Sequence, residues 1–191
     1  MGYAWIFPKK NHLSIGVAST KQKVPRLRSV LMGFINVHEN LREYKELQTV
    51  GHLIPLGGID EPLHKGQVLL VGDAGGLADP LWGEGIHFAV KSAKIASEVI
   101  VGTLAVGDID LILYTEEVKK GIVRDFKYAR ILAQILYTLP RLTYELLAKN
   151  QSVSAKKASL LRGELSYEGY TKILIRNIPR IIMRKPIKVP A

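Results

Sequence analysis

The stretch VGDAGGLADPLWGEGIHFAV, residues 71–90, holds the residues best suited to chemistry. Gly72, Gly75 and Gly76 strip side chains from the backbone, so a ligand can lie directly against it. Asp73 offers a carboxylate that accepts hydrogen bonds from ligand hydroxyls. Pro80, Gly83 and Gly85 then shape a turn into a predicted helix opening at Gly85 and Ile86. There, unpaired amides and the helix dipole favour negative charge. A polyhydroxylated, anionic cofactor satisfies these features together. The competing reading makes Asp73 a simple turn cap, since strand-Gly-Asp-loop-helix occurs in many folds.

Such a crossing works only if rigid elements hold it. Residues 67–71 (QVLLV) form an uninterrupted apolar run, the pattern of a strand buried on both faces of a parallel sheet. That strand would deliver Gly72 and Asp73 to the sheet's carboxyl end, where open α/β sheets bind ligands. From Gly85 to about Val101 the spacing predicts a helix with Ile86, Ala89, Val90, Ala93, Ala96 and Ile100 along one apolar stripe. Upstream, residues 3–7 and 13–19 predict two strands joined by a turn at 8–12, and Pro25 to about Val37 predicts a helix. Residues 48–56 predict a further strand, which Pro55 confines to an edge or an end. Downstream, a helix capped by Asp108 or Asp110 runs to about Leu139, where Pro140 interrupts it. A shorter helix covers about 141–149, a looser segment spans Gln151 to Ser159, and Pro179 and Pro186 are expected to break any helix in the basic tail. Alternate strand positions place Tyr3, Trp5 and Phe7 on one face as an aromatic wall. By spacing alone, an ordinary core-facing stripe is the blander reading.

The run Gly72-Asp73-Ala74, Pro80, Gly83-Glu84-Gly85-Ile86 resembles the second FAD-binding motif of the flavoprotein hydroxylase and reductase superfamily. The resemblance implies that Asp73 meets the ribityl chain, with Gly72 beside it in the cofactor-binding set, and that Pro80, Gly83, Gly85 and Ile86 lie by the isoalloxazine ring. Tyr3-Ala4-Trp5-Ile6-Phe7-Pro8, followed after seven residues by Gly16-Val17-Ala18, resembles more narrowly the signature of the geranylgeranyl reductases. In that family a flavin saturates isoprenoid double bonds of membrane lipids or of a chlorophyll or quinone precursor. The resemblance implies that Tyr3, Trp5, Phe7, Pro8 and Gly16 line the isoprenoid substrate. Ala18 departs from the family pattern by adding a methyl group where the second glycine stands. Gly163-Glu164-Leu165-Ser166-Tyr167 is similar to a short Gly-x-x-x-Tyr segment in the family's C-terminal helical region.

The implied fold is α/β (α+β), the C-terminal part of a para-hydroxybenzoate-hydroxylase-like FAD fold. Residues 1–66 would belong to the substrate-binding part, 67–107 would carry the last strand and helix of the FAD-binding part, and 108–191 would form a basic, mostly helical region. The G-x-G-x-x-G fingerprint that seats the ADP portion is absent, with Phe88 where a third glycine would follow Gly83 and Gly85. The chain is therefore expected to be a C-terminal portion holding half a flavin site, inactive alone. Its implied partners are FAD in the full-length protein, reduced by NAD(P)H or ferredoxin, and the N-terminal FAD-binding half or another chain.

Composition narrows the alternatives. The chain has 191 residues, favouring one domain, and its 47% hydrophobic content suits a folded core. It has no cysteine, which excludes disulfides, thiolate metal sites and cysteine nucleophiles. His12, His38, His52, His64 and His87 show no metal-ligand spacing, and no G-x-S-x-G elbow supports a hydrolase. His87 facing the cofactor and Glu84 as proton donor remain open roles. No apolar run is long enough to span a bilayer. Charge is lopsided: residues 1–118 carry 11 Lys/Arg against 13 Asp/Glu, and 119–191 carry 16 against 4. That excess suggests an anionic partner: a phospholipid surface, which would make the protein membrane-peripheral, a phosphorylated substrate, or nucleic acid, the last not expected because no binding motif is recognised. A solvated basic face explains it equally well. The lack of cysteine is compatible with a cytoplasmic setting. Two other functions stay open: a flavin monooxygenase acting on a ring substrate, and a basic, non-catalytic membrane-surface module.

Overall fold

The computed structural model describes residues 2–20, 26–41, 45, 48–57, 61–107, 110–139, 143 and 151–182, with backbone alone at 151–154 and 177–182. It is mixed helix and small antiparallel sheet, divided into two compact units, residues 1–52 and 53–191.

In the first unit, β1 (Gly2–Pro8) and β2 (Leu13–Ser19) pair antiparallel as expected, with Trp5 opposite Gly16 and Tyr3 opposite Ala18. The Lys9 N–H closes the turn on the His12 carbonyl at 2.9 Å. Helix α1 (Leu27–Val37) follows Arg26, which sits in the left-handed region at φ 74°. Pro25, expected to open this helix, lies outside the described residues. Ile35 and Leu41 are buried here. The strand expected at 48–56 does not form. Residues 48–55 have no regular structure, and beyond the first unit's end at His52, within the second unit, Leu53 is 97% exposed and only Leu56 makes an isolated parallel bridge, to Ala78. A strand exists only by pairing, and Pro55 has no N–H to contribute.

In the second unit the expected 67–71 strand is also corrected. Only Val68–Leu69 (β4) is extended, paired antiparallel with His64–Lys65 (β3). Val68 is 63% exposed, and Leu70 and Val71 are exposed as well, so this is no strand buried on both faces. An apolar run states a need for cover, and among the described residues no parallel neighbour supplies it.

Helix α2 (Ile86–Val106) is longer than expected and stops at Gly107, whose φ of 73° closes the helix on the Leu104 and Thr103 carbonyls. Its buried face is also rotated from the expected stripe. Phe88, Ser92, Ala96 and Thr103 face inward, while Ile86 and Val90 are exposed. Two contacts set that rotation: Phe88 meets Phe126 edge-on at 4.7 Å, and the buried Ser92 hydroxyl accepts the Gly72 N–H at 3.0 Å. A polar tie thus overrides the more apolar stripe.

Asp110, one of the two expected caps, accepts the Ile112 N–H at 2.9 Å and opens α3 (Ile112–Val118). A π-helical turn at Lys119–Val123 leads without a break into α4 (Arg124–Thr138). Tyr114, Val118, Ile122 and Phe126 are fully buried along this line, against Leu63, Leu77 and Phe88. The segment expected to be loose is helix α5 (Gln151–Leu161); its Ala, Lys and Leu residues are good helix formers even without a clear apolar stripe. Helix α6 (Tyr167–Ile182) runs through Pro179, where a break was expected. Asp108, Pro140, Pro186 and most of the helix expected at 141–149 lie outside the described residues.

Candidate functional site

The crossing from Gly72 to Ile86 is built around tight backbone. A 3₁₀ turn, Gly72–Gly75, takes the place of a strand end. Gly72 has φ 53°, and a Cβ there would stand 2.9 Å from the Ala89 methyl, so glycine lets the turn lie on α2. The Tyr114 hydroxyl donates to the Leu70 carbonyl at 2.7 Å, anchoring the incoming segment to α3. Asp73 is exposed, and its carboxylate lies over Gly85: a Cβ at Gly85 would come within 2.7 Å of Asp73 Oδ1. The acid therefore stands directly beside the helix start, with no side chain between. Ile86, the first residue of α2, is 80% exposed, and helix geometry leaves its N–H no carbonyl behind it. Pro80 is half-buried, and Gly83, at φ 70°, turns the chain toward α2.

Asp79, which the sequence reading passed over, organises this crossing. It is fully buried. Its carboxylate accepts the Leu81 N–H at 2.9 Å, the Trp82 N–H at 2.8 Å and the Tyr167 hydroxyl of α6. Its backbone joins in, with Asp79 N–H donating to the Glu84 carbonyl and Gly83 N–H to the Asp79 carbonyl, both at 2.9 Å. Burial raises the Asp79 carboxyl above the ordinary carboxylate value, against the lowering by its two amide donors and Tyr167. Burial and the neighbouring Asp79 charge push the Tyr167 phenol far up, so it keeps its proton and donates. The available signal was the Asp-Pro pair in the loop, since Asp is a strong turn former through such side-chain-to-backbone bonds.

The Gly163-to-Tyr167 segment has a physical role in the same place. Gly163, at φ 72°, leaves room for the His87 ring; a Cβ would meet His87 Cε1 at 2.4 Å. His87 also packs edge-on against Phe88 at 5.0 Å. Glu84 accepts the His87 N–H at 2.9 Å, acting as a helix-opening cap. Asp125 of α4 caps α6 from outside, accepting the Tyr167 and Glu168 N–H groups at 2.8 and 2.9 Å. A cavity of about 360 Å³ lies among these groups, with Lys91 and Arg124 also on its wall. Among the described residues no cluster of three metal-ligating side chains occurs.

The second group of expected residues forms in the first unit. Tyr3, Trp5 and Phe7 line up, with ring centroids 5.7 and 6.2 Å apart. Tyr3 and Phe7 are exposed. The Trp5 indole lies across β2 above Gly16: a Cβ at Gly16 would stand 2.0 Å from the ring. That explains the pairing of an aromatic strand with a distant glycine. Pro8 closes β1 opposite Leu13, and Ala18 stands opposite Tyr3. The six residues of the crossing thus gather in one unit, and the five of the aromatic wall in the other.

No family model matches the chain. It is 31% identical over 144 residues to a digeranylgeranylglycerophospholipid reductase of Methanocella arvoryzae, covering 70% of this chain and 36% of that protein. To digeranylgeranylglycerophospholipid reductase 2 of Methanothermobacter thermautotrophicus it is 30% identical over 182 residues, covering 91% of this chain and 46% of the relative. A crystal structure of a geranylgeranyl bacteriochlorophyll reductase-like protein from Thermoplasma acidophilum superposes with a TM-score of 0.62 at 26% identity, over 72% of this chain and 36% of that one. The chain spans less than half the length of each of these proteins.

Proposed function

This chain is a member of the geranylgeranyl reductase family, and from that premise we propose that it is the C-terminal portion of an FAD-dependent reductase that saturates isoprenoid double bonds of a lipid or prenylated precursor. The observation that carries the proposal is the exposed Asp73 carboxylate lying bare beside the first turn of α2. These residues fit the sugar-alcohol and ring end of a flavin. Asp73 would accept ribityl hydroxyls, and Gly72 and Gly85 keep Cβ atoms out of the approach. The Ile86 amide, left uncapped at the positive end of the α2 dipole while Glu84 takes the His87 N–H, would stabilise negative charge on the ring by about 1 kcal/mol. Bound flavin, once reduced by NAD(P)H or ferredoxin, would supply the hydride. Tyr3, Trp5 and Phe7 would hold the apolar chain and exclude water, with Pro8 and Gly16 keeping the wall in place.

The adenine and pyrophosphate contacts would come from sequence outside this chain. The exposed Ile86, Val90, Val101 and Leu104 on α2 support that part of the proposal, as apolar surface awaiting a cover. The test is the flavin affinity of the full-length protein. Asp73→Ala should weaken FAD binding on the order of tenfold, the loss expected for charge-assisted hydrogen bonds. Unchanged affinity would remove Asp73 from the site, and a colourless wild-type protein would end the flavin proposal.

The same reading gives residues 119–191, with their excess of Lys and Arg, an anionic bilayer surface as docking partner, since an isoprenoid lipid is taken from a membrane. No described helix is long and apolar enough to cross a bilayer. Protein should float with liposomes containing anionic lipid and stay behind with neutral ones. Indifference to lipid charge would count against the docking face.

A further inference from the structure

The turn between α5 and α6 grips the start of α2 and its crossing at separate points. Gly163 receives the His87 ring at a distance that admits no side chain. Tyr167, nearly fully buried, sends its hydroxyl to the fully buried Asp79 carboxylate. Asp125 clamps the Tyr167 and Glu168 amides from α4, so the ring that carries this hydroxyl is itself fixed. Asp79 in turn fixes Leu81 and Trp82 by their amides, and Gly83 and Glu84 by its own backbone. Those four residues end one position before Gly85, where Asp73 and the first amides of α2 meet.

We propose that Tyr167 is a positioning residue. Through Asp79 it sets the shape of the crossing from Pro80 to Gly85 and thereby the aim of the α2 amides at the cofactor ring. This rests on the flavin reading given above. A buried carboxylate that loses one of three donors holds its remaining partners less firmly, because a charge in low dielectric depends on every bond it has. Tyr167 acts through another residue and touches no reacting atom.

The test is Tyr167→Phe in the full-length protein, which removes one oxygen and keeps the ring. Amide hydrogen exchange at Leu81, Trp82 and Gly83 should quicken about tenfold, while amides of the α2 interior keep their wild-type rates and report an intact fold. With flavin bound, its midpoint potential should move negative, because misaligned amides stabilise the reduced, negatively charged ring less. Unchanged exchange in the crossing overturns the proposal outright. Faster exchange with an unchanged potential overturns the positioning role and leaves Tyr167 a structural tie. A wild-type protein that binds no flavin sinks the cofactor reading instead, and the positioning role with it; the exchange measurement still separates that case, because it needs no flavin.

Discussion

Replacing Asp79 by alanine is expected to lower the stability of the second unit by about 3–5 kcal/mol, the range for removing one member of a buried charged network. The substitution strands the Leu81 and Trp82 amides and the Tyr167 hydroxyl, all served by one fully buried carboxylate. Urea titration of variant and wild type, compared by midpoint at equal slope, measures the loss. A drop below 1 kcal/mol would show that water or a neighbour takes over the three donors. The pH dependence has a definite sign. Because burial raises the folded carboxyl above its ordinary value of 3.8, the folded protein holds this proton more tightly than the unfolded chain. The stability from that preference is complete below 3.8 and is lost as pH rises through the higher folded value. The alanine variant should lack this slope.

Gly16→Ala is expected to reduce isoprenoid reduction on the order of 100-fold in the full-length protein, with FAD affinity untouched, since small misplacements in a substrate-holding group cost that much. The added methyl would stand 2.0 Å from the Trp5 ring, a distance no relaxation of the methyl can relieve. The indole must leave the face of β2, which breaks the row that runs from Tyr3 to Phe7. Steady-state turnover on a polyprenyl lipid, alongside flavin titration, checks both halves of the expectation. Turnover within a few-fold of wild type would mean that the aromatic row does not hold the substrate. By the same geometry the natural Ala18, opposite Tyr3, leaves the Trp5–Gly16 pairing intact.

Where sequence patterns carried their own cause, they read correctly. The β1–β2 hairpin has period-two aromatics and a turn between them, and α2 starts after Gly85 as expected, although it runs on to Val106 rather than to about Val101. The strands at 48–56 and 67–71 failed because strand character resides in a partner, and an apolar pentad cannot say whether its neighbour is present. The rotation of α2 was hidden for a related reason. A stripe of Ile, Ala and Val outweighs Ser92 on any hydropathy scale, yet the Ser92 hydroxyl meets a particular amide twenty residues earlier. Asp73 and the surrounding glycines could be grouped from the sequence because their spacing is local, and the crossing holds them together. Asp79 and Tyr167 could not, since 88 positions separate them in the chain and neither is unusual alone.

The π turn at Lys119–Val123 has a bearing on which lengths this protein tolerates. Tyr114, Val118, Ile122 and Phe126 recur every fourth position and all point to the core, whereas a regular helix with about 3.6 residues per turn would wind such a series gradually off target. The wider turn takes up that slippage at one place. Dropping a single residue between Ile112 and Val118 would swing everything downstream by about a quarter revolution, carrying Asp125 away from the amides it caps. This helix therefore behaves like a toothed gear with one spare tooth, and evolutionary trimming or lengthening should be confined to that spot.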